Sequence, residues 1–249
     1  MVKRQAFIIM EEIKGTYTYK YPHPSVTADC VIFGFDGVSI KVLLIQRGIE
    51  PYKGKWAFPG GFMKIDETAE ECARRELEEE TGLKSAAVEQ FYTFSDVYRD
   101  PRERVITVAH YALVKLSEVK GGDDAASAKW FELETIPSLA FDHDRILRMA
   151  VNRLKERICF EPIGFELLPK VFTMSELQNL YEAILDVKFD RRNFYNKMLN
   201  EHTLYDYLLQ LDCDAEDMFN RLVKQMAERE GVTEQFKADN QMQWVGLMN

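Results

Sequence analysis

The segment from Thr68 to Thr81, TAEECARRELEEET, concentrates carboxylates on what the spacing predicts to be a helix. At about 100° per residue, Ala69, Cys72, Ala73 and Leu77 form the apolar stripe that must face the protein. Glu76, Glu79 and Glu80 fall on or beside that stripe, whereas Glu70, Glu71, Arg74 and Glu78 point the other way. Like charges held close and partly desolvated raise one another's pKa unless a cation neutralises them. Carboxylates at i, i+3 and i+4 converge on one point, and hard ligands of this kind suit Mg2+ or Mn2+ better than zinc. Arg75 can brace Glu79 across one turn. Gly60 and Gly61 offer a backbone carbonyl and little bulk, and Glu67, near the helix start, can hold a metal or its water. Together these residues make a cradle for a divalent metal.

A second group of candidates is basic. Tyr98 to Arg104, YRDPRER, puts Arg99, Arg102 and Arg104 before a strand, and Arg47 ends an earlier one. Guanidinium groups suit phosphate and carboxylate oxygens, so these four are candidates for ligand binding, with a salt-bridged surface loop as the plain alternative. His110 sits inside an apolar strand and reads as a core or surface histidine, whereas His143 at a helix start is the better site candidate. Phe58, Tyr92, Phe94 and Tyr98 can stack on a base, but aromatic residues at such positions are commonly core.

The elements that must position these side chains are legible around them. Ser25–Phe35 and Ile40–Arg47 are rich in Val, Ile and Phe with Asp36-Gly37 between them, the pattern of a β-hairpin. Pro51 to Gly61 reads as a loop in which backbone can come close to a ligand. Further strands are expected near 88–95, 104–114 and 128–131, then a helix over 142–158 whose Ile146, Ala150, Leu154 and Ile158 repeat at i+4. Strands with one helix inserted and one at the end give an α+β or α/β sandwich over residues 1–160, with Glu161-Pro162-Ile163-Gly164 marking the boundary. Residues 161–249 read as nearly all helical, with Ser175–Leu185, Asp190–Leu199 and segments within 204–230, and with Thr173 or Ser175 and Asp190 as N-caps.

Composition sets the outer limits. With 249 residues, 46% hydrophobic and 12% aromatic, the chain can bury a real core or two. The apolar run Ala6–Met10 is too short for a signal core, and no stretch reaches membrane-spanning length, so a cytoplasmic protein is expected. Cys30, Cys72, Cys159 and Cys213 show no paired spacing and read as buried, reduced thiols. The net charge of −9 disfavours nonspecific attraction to nucleic acid or anionic membrane.

Gly61-x5-Glu67-x7-Arg75-Glu76-Leu77-x-Glu79-Glu80-x-Gly82-Leu83 matches every constrained position of the signature of the Nudix hydrolases. The resemblance covers roughly Pro22 to Arg157 and includes Trp56 to Gly61. It implies an α/β/α sandwich, Mg2+ or Mn2+, and water directed at a phosphorus of a nucleoside diphosphate linked to another moiety. It assigns Gly61, Glu67, Glu76, Glu79 and Glu80 to the metal and Glu79, with Glu76 and Arg75, to catalysis; which glutamate is the base stays open. RDPRERVITVAHYALV resembles the corresponding segment of ADP-ribose-type members, making ADP-ribose or a related nucleotide sugar the leading ligand, with Arg47, Arg99, Arg102 and Arg104 as its contacts.

Phe165 to Thr173, with Glu176-Leu177-Gln178, Leu180 to Ile184 and Asp190 to Phe194, resembles the C-terminal winged helix of Nudix-related transcriptional regulators. There the first domain senses a small molecule and the second binds operator DNA, which would place Arg191, Arg192, Asn193 and Lys197 on a recognition helix. Against this, residues 161–249 hold 9 Lys and Arg but 16 Asp and Glu, and an acidic run, Asp212 to Asp217, follows the recognition helix. The balance puts a Mg2+-dependent pyrophosphohydrolase first and a ligand-responsive DNA-binding regulator second. Both resemblances imply a homodimer.

Overall fold

The computed structural model describes residues 19–84, 86–117, 125–159, 163–169 and 172–200. Its strands are β1 (Ser25–Phe35), β2 (Ile40–Arg47), β3 (Trp56–Ala57), β4 (Gly60–Phe62), β5 (Val88–Phe94), β6 (Val105–Leu113) and β7 (Ala125–Glu132). Its α-helices are α1 (Ala69–Thr81), α2 (His143–Ile158), α3 (Met174–Leu185) and α4 (Arg191–Asn200). The segment expected as a loop before α1 contains two short strands, and β7 begins three residues earlier than expected.

One mixed sheet runs β3-β2-β1-β6-β5, with β7 also on β2 and β4 on β1. Its central pair, β1 and β6, is parallel, and the other pairings are antiparallel. Strand side chains alternate between faces, and β1 divides accordingly. Ala28, Cys30 and Ile32 pack toward Cys72, Ala73 and Leu77 of α1. Val31, Phe33 and Phe35 pack toward Ile146, Ala150, Leu154 and Ile158 of α2. The sheet therefore lies between α1 and α2, the expected sandwich.

The hairpin turn is built by Asp36, whose Oδ1 accepts the Val38 and Ser39 N–H groups at 2.9 and 2.8 Å, and by Gly37 at φ 95°. Helix α1 opens on a capping box between Thr68 and Glu71 and closes on Gly82 in the left-handed conformation at φ 74°. Helix α3 opens on the same device between Thr173 and Glu176.

The core on the α2 face does not stop at Ile158. It continues through Phe165, Leu167 and Leu168 into Leu177, Leu180 and Ile184 of α3 and Phe194 of α4. Gly164, at φ 91°, lets the chain turn between them: a Cβ there would lie 3.5 Å from Ile184 and 3.9 Å from Ile158. Residues 160–162 at the expected domain boundary, Cys213, Asp212 to Asp217 and the helices expected within 204–230 lie outside the described residues. Cys30 and Cys72 are buried as expected, whereas Cys159 is exposed. Among the described residues no helix is long and apolar enough to cross a membrane.

Candidate functional site

Strand β4 pairs with the first half of β1, Gly61 opposite Ala28 and Gly60 opposite Asp29, and this pairing brings the glycine turn under α1. The fit leaves no room for side chains. A Cβ on Gly60 would lie 2.5 Å from the Ala28 carbonyl, and one on Gly61 2.3 Å from Glu76 Oε1. Glu80 turns back and accepts the Gly60 N–H at 2.9 Å.

Arg75 is the hub of the acidic cluster. Its Nε and Nη2 donate to Glu67 at 2.9 and 2.6 Å, and Nη1 donates to Glu76 at 2.6 Å and to Glu79 at 3.0 Å. Bidentate charge-assisted bonds of this kind are strong, and they hold the Glu67 carboxyl down at about 2. Glu76 moves the other way: burial raises its pKa, and Arg75 opposes the rise only in part. Glu79 is half-exposed, so the inward direction expected for it is incomplete.

Among the described residues no group of three His, Cys, Asp or Glu side chains gathers around one point fit for a metal. The expected convergence of Glu76, Glu79 and Glu80 is replaced by sharing: Arg75 takes Glu76 and Glu79, and the Gly60 amide takes Glu80. The donor chemistry nonetheless fits a hard divalent cation. Gly61, Glu76 and Glu80 line one cavity, and the absent Gly61 Cβ leaves Glu76 seated against the backbone whose carbonyl was assigned to the metal.

That cavity, about 320 Å³, lies between α1 and a wall the sequence also supplied in part. Arg47, Arg99 and Arg102 line it; Arg104 does not, its Nη1 donating to the Asp96 carbonyl at 3.0 Å outside. Arg99 is buried and forks onto Asp142 at 3.1 and 2.7 Å, and Arg102 forks onto Asp100 at 3.0 and 2.7 Å. Arg47 gives its Nε–H to the Pro51 carbonyl at 2.8 Å. Burial, and then repulsion by Arg102, lower its pKa.

His143, at the start of α2, lines the cavity with its Nδ1 accepting the Phe58 N–H at 3.0 Å, which places the proton of the neutral ring on Nε2. Burial favours that neutral form by pulling the pKa down. The two rings stack at 5.1 Å.

Several lining residues escaped the sequence reading. Asp29 accepts the Thr107 hydroxyl at 2.6 Å, and Thr27 contributes a buried hydroxyl that has no partner among the described residues. The signal for Asp29 was available: it is the lone charge inside SVTADCVIFGF. Phe62 and Phe141 carried none.

The second candidate surface is on α3 and α4. Glu182, buried near the end of α3, accepts Gln178 Nε2 at 2.8 Å, Lys188 Nζ at 2.6 Å and the Phe189 N–H at 3.1 Å, which fixes the turn between the helices. The Asp190 carboxylate accepts the Asn193 N–H at 2.9 Å at the start of α4. Helix α4 buries Phe194, Tyr195 and Met198 and exposes Arg191, Arg192, Asn193 and Lys197 together. Of the acidic residues in this region, Glu176 serves a cap and Glu182 a turn, and the exposed polar face of α4 itself is basic.

A NUDIX domain model matches residues 23–150, and an NrtR DNA-binding winged helix domain model matches residues 164–209. Over 184 residues the chain is 36% identical to an "ADPR responsive transcriptional repressor NtrR" of Acinetobacter baylyi, covering 72% of this chain and 74% of that protein. Over 128 residues it is 42% identical to an ADP-ribose pyrophosphatase of Methanocaldococcus jannaschii, covering 51% and 73%. The structure of Shewanella oneidensis NrtR complexed with a 27mer DNA superposes with a TM-score of 0.59 at 30% identity, covering 70% of this chain and 81% of that one. The NUDIX domain of the same protein with ADP ribose gives 0.52 at 31% identity, covering 58% and 97%. These findings correct the weight placed on overall acidity against DNA binding, since the matched domain type carries that activity in its description. With the box seated under the sheet and the helix-turn-helix packed behind α2, in the order the two models match, the chain belongs to the Nudix family, in its two-domain form with an NrtR-type winged helix.

Proposed function

We propose that the Nudix cavity binds ADP-ribose or a related nucleotide sugar, that the winged-helix domain binds DNA, and that the chain makes the second depend on the first. The observation that carries this reading is the position of α2. Its first residue, His143, lines the cavity, its N-cap Asp142 holds the lining Arg99, and its last residue, Ile158, packs with Leu180 and Ile184 of α3, the helix that precedes the basic face of α4. The A. baylyi repressor, similar across both domains, and the ligand and DNA complexes of the S. oneidensis protein support it.

A second reading, hydrolysis of the ligand's pyrophosphate, is favoured by a box intact at every constrained position and by Glu76 and Glu80 facing the cavity arginines. Gly61, Glu67, Glu76, Glu79 and Glu80 would hold Mg2+ or Mn2+, which when bound offsets phosphate charge and acidifies a water. Arg47 and Arg102 would bind the phosphoryl oxygens. Glu79 and Glu76, tied to the same Arg75, are the candidate proton acceptors. The two readings share one ligand and are compatible.

Two assays test them. A gel shift on the DNA upstream of the chain's own gene should show salt-sensitive binding, weakened by Arg191→Ala and Arg192→Ala and altered by ADP-ribose; no binding with or without ADP-ribose sinks the regulator. A nucleotide panel with Mg2+ should show turnover that Glu79→Gln and Glu80→Gln reduce; no turnover of any pyrophosphate sinks the hydrolase. The homodimer implied by both resemblances is checked by light scattering of the intact chain.

A further inference from the structure

Phe141 stands where two unusual backbones and two cations meet. Its φ is 53° and that of Tyr52 is 64°, left-handed values that side chains with a Cβ adopt at a cost, and the two rings touch edge to face at 4.9 Å. The Arg47 guanidinium lies 4.9 Å from the Phe141 centroid and that of Arg102 lies 5.7 Å from it. Both arginines are fixed from behind, Arg47 by the Pro51 carbonyl and Arg102 by the Asp100 fork and by the Phe62 ring at 5.2 Å.

Two guanidinium groups drawn together in a partly buried cavity repel each other. An aromatic face carries negative potential and attracts cations, so one ring between them offsets part of that repulsion. The neighbouring backbone is held independently of the ring: the Ala140 N–H donates to the Trp56 carbonyl at 2.8 Å, and the His143 N–H donates to the Ala140 carbonyl at 3.2 Å. The left-handed turn at Phe141 thus has an outcome besides chain reversal: it presents the ring to the cavity that Arg47 and Arg102 line.

We propose that Phe141 is the positioning residue of an anion clamp, holding Arg47 and Arg102 together over the cavity to take the two phosphoryl groups of a diphosphate ligand. This rests on the reading that the cavity takes a nucleoside diphosphate. Cations ordered before the ligand arrives leave less to order on binding, which is how preorganisation raises affinity.

The test is calorimetric binding of ADP-ribose and, separately, of inorganic pyrophosphate to the full chain. Phe141→Leu keeps bulk and loses the ring face, and should weaken both ligands at least tenfold; Phe141→Trp, which keeps a ring face, should stay within about threefold of wild type. Arg47→Gln combined with Phe141→Leu should bind no more weakly than the poorer single variant, as expected of two residues that act as one unit; rescue by Phe141→Trp separates the clamp from a packing role. Should Phe141→Leu fail to fold, Phe141→Gly, suited to the left-handed backbone, replaces it with the same expectation. Wild-type affinity in the Leu or Gly variant, loss in the Trp variant equal to that in Leu, or strict additivity overturns the clamp. Pyrophosphate binding that depends on Phe141 without any ADP-ribose binding supports the clamp and removes the nucleotide reading; no binding of either ligand to wild type overturns both.

Discussion

Arg75 grips Glu67 with both arms of its guanidinium, Nε to Oε2 at 2.9 Å and Nη2 to Oε1 at 2.6 Å. The same group also serves Glu76 and Glu79, so it supplies the counter-charge of the cluster. Arg75→Gln should lower stability by about 2 kcal/mol, the scale of lost hydrogen bonds to charged groups. Mg2+ should then raise the Tm of the variant more than that of wild type, since the ion enters an uncompensated cluster. Equal Mg2+ shifts in thermal melts would show that Arg75 is not the compensating charge.

Gly60 and Gly61 should fail differently when given a methyl group. At Gly60 the nearest atom is the Ala28 backbone oxygen at 2.5 Å, which cannot swing away, so Gly60→Ala should cost about 2 kcal/mol in folding, within the usual range for overpacking. At Gly61 the nearest atom is on the Glu76 side chain, which can rotate. Gly61→Ala should therefore melt closer to wild type while losing turnover. Reversed ranks in melting temperature and activity would refute the assignment.

Glu182→Ala should damage the DNA-binding end and spare the nucleotide end. It removes the acceptor of the Phe189 N–H and one of the two acceptors of the Gln178 amide, which keeps the Phe189 carbonyl at 3.1 Å, at a cost of about 1–3 kcal/mol. Lys188 is largely exposed and adds little. DNA affinity should fall several-fold while ADP-ribose affinity holds; a parallel loss of both would mean general unfolding instead.

Burial holds the pKa values of His110 and His143 below the ordinary histidine value, so the folded chain resists taking up protons that the unfolded chain accepts below about pH 6.5. Stability should be complete above that pH and decline as pH falls through it. Around His110, Glu70 and Asp29 and its bond to the Val108 carbonyl favour the proton but do not outweigh burial. His110→Gln, measured by melts from pH 8 to 5.5, should flatten the decline, and an unchanged slope would clear this residue of the effect.

How far the sequence carried depends on the range of the interaction that placed each residue. Helix α1 and strands β1 and β2 stood where caps, turn residues and periodicity put them, because those signals lie within a few positions of one another. Phase alone turned Glu79 inward; the structure leaves it half-exposed, because a phase argument treats Arg75 as a brace for one carboxylate and cannot count three. Strands β3 and β4 were missed because at two and three residues they exist only through their pairing with β2 and β1. The cavity arginines were found as a basic cluster, but their division into Arg99 on Asp142, Arg102 on Asp100 and Arg104 outside is decided by tertiary partners. Phe141 had no motif, because a left-handed backbone at a phenylalanine is not written in local composition.

The apolar cluster running from Val31 through Ile146 and Ile158 to Leu180 and Phe194 gives the two domains a common fate. Two bodies with separate interiors could melt one after the other; bodies that share an interior lose it together. Heat should then register as one transition by every probe, and a ligand that binds the cavity should raise the melting point of both by mass action. A ligand held at the cavity end of α2, as proposed, should then protect the winged-helix domain at the other end against heat.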